Sequence, residues 1–237
     1  MHVTTTMTTS NRGIRVCGWL TVAFLLLLAI GWVAISNFIP PVEVSADASV
    51  VADFYREHRD RIQLGYVVTM LAISLWACFA AGLSALVRKI DTGDQIMARI
   101  VQSVMTAIVA LFYVLITIWA TAGFRPERAP EITQIFNDFG WMFMIWIVSI
   151  TMVIWIPMGA MVLRDQSSTP LLPRWYGYYC FSEALVSSVG IFSNYFKTGP
   201  FAYDGILAFW LGMALFMSWC VITAVLMTRV RDLPVRA

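Results

Sequence analysis

The sequence predicts an all-α protein: a polytopic transmembrane bundle of about six helices, with both chain ends in the cytoplasm. Three observations predict it. Apolar residues make up 59% of the 237 and charged residues only 13%, with a mean hydropathy of +0.75. Soluble domains carry about 25% charged residues, so a soluble fold of this length could not hide so much apolar surface. The apolar residues also gather in runs of about 20, the length that crosses the hydrocarbon core of a bilayer. Finally, basic residues favour alternate connections, which orients the chain.

Each element follows in order. Residues 1–13 are polar and Thr-rich and read as a disordered cytoplasmic tail. A first helix covers 16–38 and stops at Pro40-Pro41. A signal peptide with Ala46-Asp47-Ala48 as its cleavage site is the alternative. Signal cores run about 7–15 apolar residues, and this run is longer and ends well before that site, so a retained anchor is expected. Within the first outer loop, Val50, Val51, Phe54, Tyr55 and Ile62 recur at helical spacing, with Asp53, Arg56, Glu57, Arg59 and Asp60 between them. Residues 47–61 therefore read as an amphipathic interfacial helix, capped by Ser45 or Asp47. It either covers the apolar top of the bundle or serves as a lid or docking surface.

Further spans are expected at 64–87, 97–122, 139–163, 174–195 and 204–228. Pro157 should kink the fourth near its inner end. In the second outer loop a short helix is expected after Pro130, with Asn137 or Asp138 then capping the fourth span. Arg125, Glu127, Arg128 and Glu131 can form a surface ion-pair cluster. In the third outer loop Gly199-Pro200 marks a turn, and Asp204 is expected to cap the sixth span. Small-residue seams for close helix packing are expected at Ala77, Ala81 and Ala85, and at Ala208 and Gly212. The chain thus divides into a tail, 1–13, one transmembrane domain, 14–230, and a second tail, 231–237.

Charge sets the orientation. With the N-terminus inside, Arg12, Arg15, Arg88, Lys89, Arg99, Arg164, Arg174, Arg229, Arg231 and Arg236 are inner, ten of the 16 basic residues. Six crossings then return the C-terminus to the cytoplasm. The three longer loops share the outer face, which argues for a site opening outward. A net charge of +2 gives no support to nucleic-acid binding.

Glu183 is the sharpest single feature. It falls mid-way along the fifth span, where an ionised carboxylate costs about 2.5–3.5 kcal/mol on insertion scales. Tyr176, Tyr179, Glu183, Ser187, Gly190 and Asn194 form a polar stripe at spacings of three and four. No Lys or Arg is expected at the same depth, so a protonated, hydrogen-bonded carboxyl is expected. Such a group either pins helices together or acts on a ligand. The ligand-binding candidates are Glu183, Tyr179, Ser187, Asn194, Asp204 and Tyr176, and Glu183 is the only candidate for catalysis.

Other chemistry finds little footing. The histidines are His2 and His58, too few and too far from the spans for haem or di-iron ligation. Cys17, Cys78, Cys180 and Cys220 all sit in apolar runs with no metal or redox spacing. No P-loop, GxSxG or HExxH is present. Neither a metal nor a cofactor is expected.

Phe124-Arg125-Pro126-Glu127-Arg128, Asn137-Asp138-Phe139-Gly140-Trp141, Pro173-Arg174-Trp175 and Phe196-Lys197-Thr198-Gly199-Pro200-Phe201 resemble segments of a family of six-helix bacterial membrane proteins, mainly actinobacterial, without an assigned activity. The resemblance implies a bacterial cytoplasmic membrane location and supplies no catalytic residue. Three functions remain open. The first is binding or helping to move a lipophilic small molecule through an outward-opening cavity near Glu183. The second is an accessory subunit docked on a membrane protein partner by the amphipathic helix. The third is an enzyme using Glu183, with Asp204, as acid on a hydrophobic substrate.

Overall fold

Apolar runs in a bilayer must satisfy every backbone group internally, so they fold as helices. The computed structural model describes residues 8–9, 11–91, 93–231 and 233–234. Its helices are α1 (Arg12–Leu28), α2 (Ala48–Glu57), α3 (Arg59–Ile90), α4 (Ile96–Phe124), α5 (Pro130–Ser149), α6 (Met152–Arg164), α7 (Arg174–Gly190) and α8 (Gly212–Thr228). A π-helical segment, Ala29–Ile35, extends α1, and a second, Ile206–Leu211, leads into α8. A 3₁₀ turn, Ile191–Tyr195, follows α7. Outside the helices, Thr8–Thr9 pairs antiparallel with Leu233–Pro234.

Five rods are long and apolar enough to cross a membrane: Arg12–Ile35, Arg59–Ile90, Ile96–Phe124, Pro130–Arg164 and Ile206–Thr228. The sixth rod, α7, has 17 residues, about 25 Å at 1.5 Å per residue. It runs antiparallel to the α5–α6 rod. The Cβ position of Gly177 lies 2.9 Å from the Leu163 side chain, and that of Gly190 lies 2.8 Å from Ile145. So α7 covers the same depth as residues 145–163 of its neighbour.

Each rod packs on the next, and the last returns to the first: α1 on α3, α3 on α4, α4 on α5, α6 on α7, α7 on α8, α8 on α1. The result is a closed six-membered ring. Its outward face is apolar, with Leu26, Leu64, Leu71, Val153, Leu185 and Val221 all exposed, as lipid requires. The start of α1 and the residues that follow α8 lie at one end of the ring. Asn11 Nδ2 donates to the Arg231 carbonyl (2.6 Å), and Arg15 donates to the Val230 carbonyl (3.0 Å).

The structure shifts several expected boundaries. The first rod stops at Ile35 rather than 38, because Asn37 takes a left-handed conformation (φ 50°). Asn tolerates that region better than most residues. The turn sends Phe38 back into the core, where it is 2% exposed. The amphipathic helix is shorter than 47–61, since α3 already begins at Arg59. Asp47 occupies its N-cap position without a side-chain capping bond. After Pro130 one helix continues to Ser149, so Asn137 and Asp138 lie inside α5 and cap nothing. The break in the fourth rod falls at Ile150–Thr151. That is just before the Val153 carbonyl, which Pro157 has no N–H to bond. Ser149 and Thr151 turn their hydroxyls onto the Trp146 and Val148 carbonyls there, and such back-bonding bends helices.

Close helix contact comes from glycines. Ala77 and Ala81 are exposed and Ala85 is half-buried, so they form no buried seam. Instead Gly31 and Gly65 let the π segment after α1 meet α3 backbone to backbone. A Cβ on Gly65 would lie 2.5 Å from the Gly31 carbonyl oxygen. Gly159 and Gly177 do the same for α6 and α7, with a Cβ on Gly159 2.9 Å from the Gly177 oxygen.

Gly65→Ala should therefore destabilise the bundle by about 1–3 kcal/mol through overpacking, read as a lower unfolding midpoint in detergent. Gly212→Ala, whose Cβ would meet nothing within 4 Å, should instead be neutral or stabilising, by up to about 1 kcal/mol of helix propensity. Equal losses from the two would refute the assignment of the contact between the first rod and α3.

Candidate functional site

The end of the ring opposite the start of α1 is closed by aromatic rings. Phe38 stacks on Trp141 (5.2 Å between centroids, 10°) and meets Trp119, Tyr66 and Tyr55 edge-on at 5.0, 5.6 and 5.9 Å. Trp32 packs beneath against Trp119 and Trp141 at 6.0 and 6.2 Å. Gly140 makes this possible, because a Cβ there would lie 2.2 Å from Trp119 Nε1.

A buried polar node ties the loops over this plate. Tyr55 of α2 donates to Asn137 Oδ1 (3.3 Å). Asn137 Nδ2 donates to the Tyr203 hydroxyl (3.3 Å), which itself donates to Asp138 Oδ1 (2.8 Å). Asn137, Tyr55 and Tyr203 are 1%, 2% and 3% exposed. Asp204 does not cap the last rod, where Gly205 holds the N-cap position. Its Oδ2 accepts the Val44 N–H (3.1 Å), joining the third loop to the first. Arg56 joins the first loop to the second by donating to the Pro126 carbonyl (2.8 Å). Among the described residues, Arg125, Glu127, Arg128 and Glu131 form no ion pair. Arg128 instead donates to the Thr121 carbonyl (3.1 Å) at the end of α4.

Beneath the plate lies a narrow cavity of about 60 Å³. Every rod contributes to it: Phe24, Leu28 and Trp32 from the first, Thr69, Ile73 and Trp76 from α3, and Phe112, Leu115, Ile116 and Trp119 from α4. Met144, Ile145 and Val148 come from α5, Val186, Ser187 and Gly190 from α7, and Ala208, Phe209, Gly212, Met213, Phe216 and Met217 from the last rod. No charged residue lines it. From Phe24 to Trp32 the lining spans eight residues of the first rod, about 12 Å. Both π segments border it, through Trp32 on one side and Ala208 and Phe209 on the other. π turns are rare and concentrate at functional sites.

The sequence-derived candidates divide into two groups. Tyr176, Tyr179, Glu183 and Ser187 face inward along α7, toward α8. The Tyr176 hydroxyl lies 2.7 Å from Thr223 Oγ1, and the Tyr179 hydroxyl donates to the Leu215 carbonyl (3.0 Å) and lies 2.6 Å from Ser218 Oγ. Glu183 is 1% exposed, and its Oε1 has no partner. Its neighbours include Tyr179, Cys180 and Cys220, and among the described residues no cation pairs with it. Glu183 does not line the cavity, whereas Ser187, one turn further along, does. Asn194 is exposed in the 3₁₀ turn and Asp204 is half-buried in the following loop, both away from Glu183. The structure therefore does not bring Glu183 and Asp204 together. The arrangement can receive an apolar molecule, and no group of three His, Cys, Asp or Glu that could hold a metal ion occurs among the described residues.

A cavity was expected near Glu183, opening outward; the one found is lined one turn further along α7, at Ser187, and lies beneath the aromatic plate, which was not expected. The sequence signal for the plate is the run Asn137-Asp138-Phe139-Gly140-Trp141, in which two polar residues, a glycine and an indole stand at the head of the apolar part of α5. Compared with known proteins, the chain matches no family model, no curated protein and no solved structure.

Burial, and then the nearby Asp138 carboxylate, push the Tyr203 phenol well above its ordinary value, and burial does the same to Tyr55. The folded state thus keeps both phenols neutral where the unfolded chain ionises, so their contribution is full below about pH 10 and is lost above it. Unfolding midpoints should fall as pH rises past about 10. Tyr203→Phe should flatten that fall, and an unchanged slope would remove Tyr203 from the node's titration.

Asn137→Ala leaves the Tyr55 and Tyr203 hydroxyls without this partner and should cost about 1–3 kcal/mol in the same unfolding measurement. A loss within error of zero would show that the node does not hold the loops.

Proposed function

We propose that the protein binds a lipophilic small molecule, and helps it to move, in the cavity at the centre of the ring. The observation that carries this reading is a charge-free, aromatic cavity lined by all six rods. Binding sites are typically apolar with a few polar groups, and here Ser187 and Thr69 are the polar members of the wall. The Thr69 hydroxyl is already spent on the Gly65 carbonyl (2.8 Å), which leaves Ser187. The two π segments at the same site support the reading further.

Neither competing reading gains a comparable observation. A docking surface on α2 would need a free apolar face, but Val51, Ala52 and Tyr55 are buried on the bundle. Phe54 packs against Phe38 at 6.0 Å. An acid pair for catalysis would need Glu183 and Asp204 side by side. The membrane proposed is the bacterial cytoplasmic membrane, on the family resemblance, and the chain ends are proposed to lie in the cytoplasm because ten of the 16 basic residues fall on that side.

Native mass spectrometry of protein extracted gently from its own membrane tests this. A small lipophile at near-unit stoichiometry is expected. Ser187→Leu, which intrudes on the cavity, should lower occupancy at least about tenfold, since a filled site costs more than the 1.4 kcal/mol of one decade. Glu183→Gln, outside the lining, should leave occupancy within about twofold. Protein free of any small molecule would overturn the proposal.

A further inference from the structure

The cavity has a weak side. At the loop end it lies under the Phe38–Trp141 plate and the Asn137 node. At the other end Trp155 and Trp219 meet edge to face at 5.6 Å, with Phe79 on Trp219 at 5.3 Å, and fill the ring below it. Between rods the walls are closed by direct packing except at one seam. There α1 and α8 are in close contact at Gly18, whose Cβ position is 2.9 Å from Thr228. Toward the loop end the contact is lost. The first π segment packs on α3 through Gly31 and makes no substantial contact with the second π segment. Leu28, Gly212 and Met213 border this gap, line the cavity and are half-buried. A Cβ on Gly212 would meet nothing within 4 Å.

We infer that the cavity takes an uncharged, single-chain lipid dissolved in the bilayer, admitted sideways between the two π segments. This rests on the ligand-binding reading above and adds the ligand's class and its route. Shape selects a slim chain, because the void is small, about 60 Å³, while the residues that line it are spread along about two turns of helix. Met144, Met213 and Met217 in the wall can adjust to a chain, since the thioether side chain is flexible and polarisable. Charge selects against phosphates and carboxylates, because no basic side chain lines the space and an unpaired ion there is costly. A hydroxyl head is acceptable, since Ser187 can bond it. The sealed loop end replaces an opening to the outer aqueous side with one to the lipid phase.

Photolabelling in nanodiscs tests it. The probes are hexadecanol carrying a mid-chain diazirine and the matching diazirine hexadecyl phosphate, with labelled peptides mapped by mass spectrometry. The alcohol should label cavity residues such as Phe112 and Met144 at least about fivefold more than the phosphate, a ratio that corresponds to roughly 1 kcal/mol. Gly212→Trp, filling the gap, should reduce that labelling at least about fivefold, and Leu28→Trp should do the same if Gly212→Trp fails to fold. Phe38→Ala, loosening the plate, should leave it unchanged. Undiminished labelling in both folded plug variants would overturn the lateral route while binding stands. Equal labelling by alcohol and phosphate would overturn the uncharged class. No cavity labelling by either probe in the unmodified protein would overturn this inference together with the binding function.

Discussion

Asn137 is the group on which the loop end of this bundle depends. Its amide accepts from Tyr55 and donates to Tyr203, so one side chain in α5 holds the first loop and the third at once. An amide is suited to this because it carries both an acceptor and donors on one rigid plane. Asp138 next to it takes the Tyr203 hydroxyl proton's bond, and Asp204 takes the Val44 N–H. The Asn137, Tyr55 and Tyr203 groups would otherwise be buried polar atoms, whose cost unpaired is about 1–3 kcal/mol each. The network is therefore cooperative in the simple sense that losing one member strands another. With the loops fixed, Phe38 can be driven back into the ring, and the plate of Phe38, Trp119 and Trp141 can form above the cavity.

The indoles of the wall explain why an empty space survives beneath the plate. Six rods brought into full contact would leave no void, as protein interiors are close-packed. Large rings resist that closure. Trp32, Trp76 and Trp119 stand in the wall, and their flat faces stack on one another and on Phe24 rather than interdigitating. The glycine contacts act in the other direction, pulling the first rod onto α3 and α6 onto α7. A ring held tight at some seams and propped by indoles at others keeps a gap at its axis, and loosens at the seam with neither device, between the π segments.

How much of this was legible in sequence can be judged residue by residue. The helical class and the spans followed from apolar run length, because lipid allows no other backbone solution. The amphipathic character of α2 was readable from the spacing of Val51, Phe54 and Tyr55, and the structure places the apolar side against the bundle. Boundaries were less legible. Asn137 and Asp138 looked like caps since polar residues before an apolar run usually are, but a long-range role for the same groups was open to them once Pro130 had started the helix. The seam of Ala77, Ala81 and Ala85 failed because a small-residue pattern says that close contact is possible, not which face is used. The true contacts rest on Gly31 and Gly65, isolated glycines whose pairing depends on three-dimensional register. The cavity depends on six rods at once, and no local pattern carries that.

Glu183 brings these strands together. Its burial follows from the polar stripe of α7, and its neighbours Tyr176 and Tyr179 are held by Thr223 and Ser218 of α8. Those bonds fix the rotation of α7, and that rotation is what presents Ser187 and Gly190 to the cavity while Glu183 stays outside the lining. In a bundle where lipid-facing and ring-facing surfaces are equally apolar, hydrophobicity cannot choose which face of a helix turns inward. Polar contacts between α7 and α8 make that choice. The intramembrane acid is thus best understood with its stripe, as part of the device that sets the composition of the cavity wall one turn away. A carboxyl in that position can do so without touching a ligand.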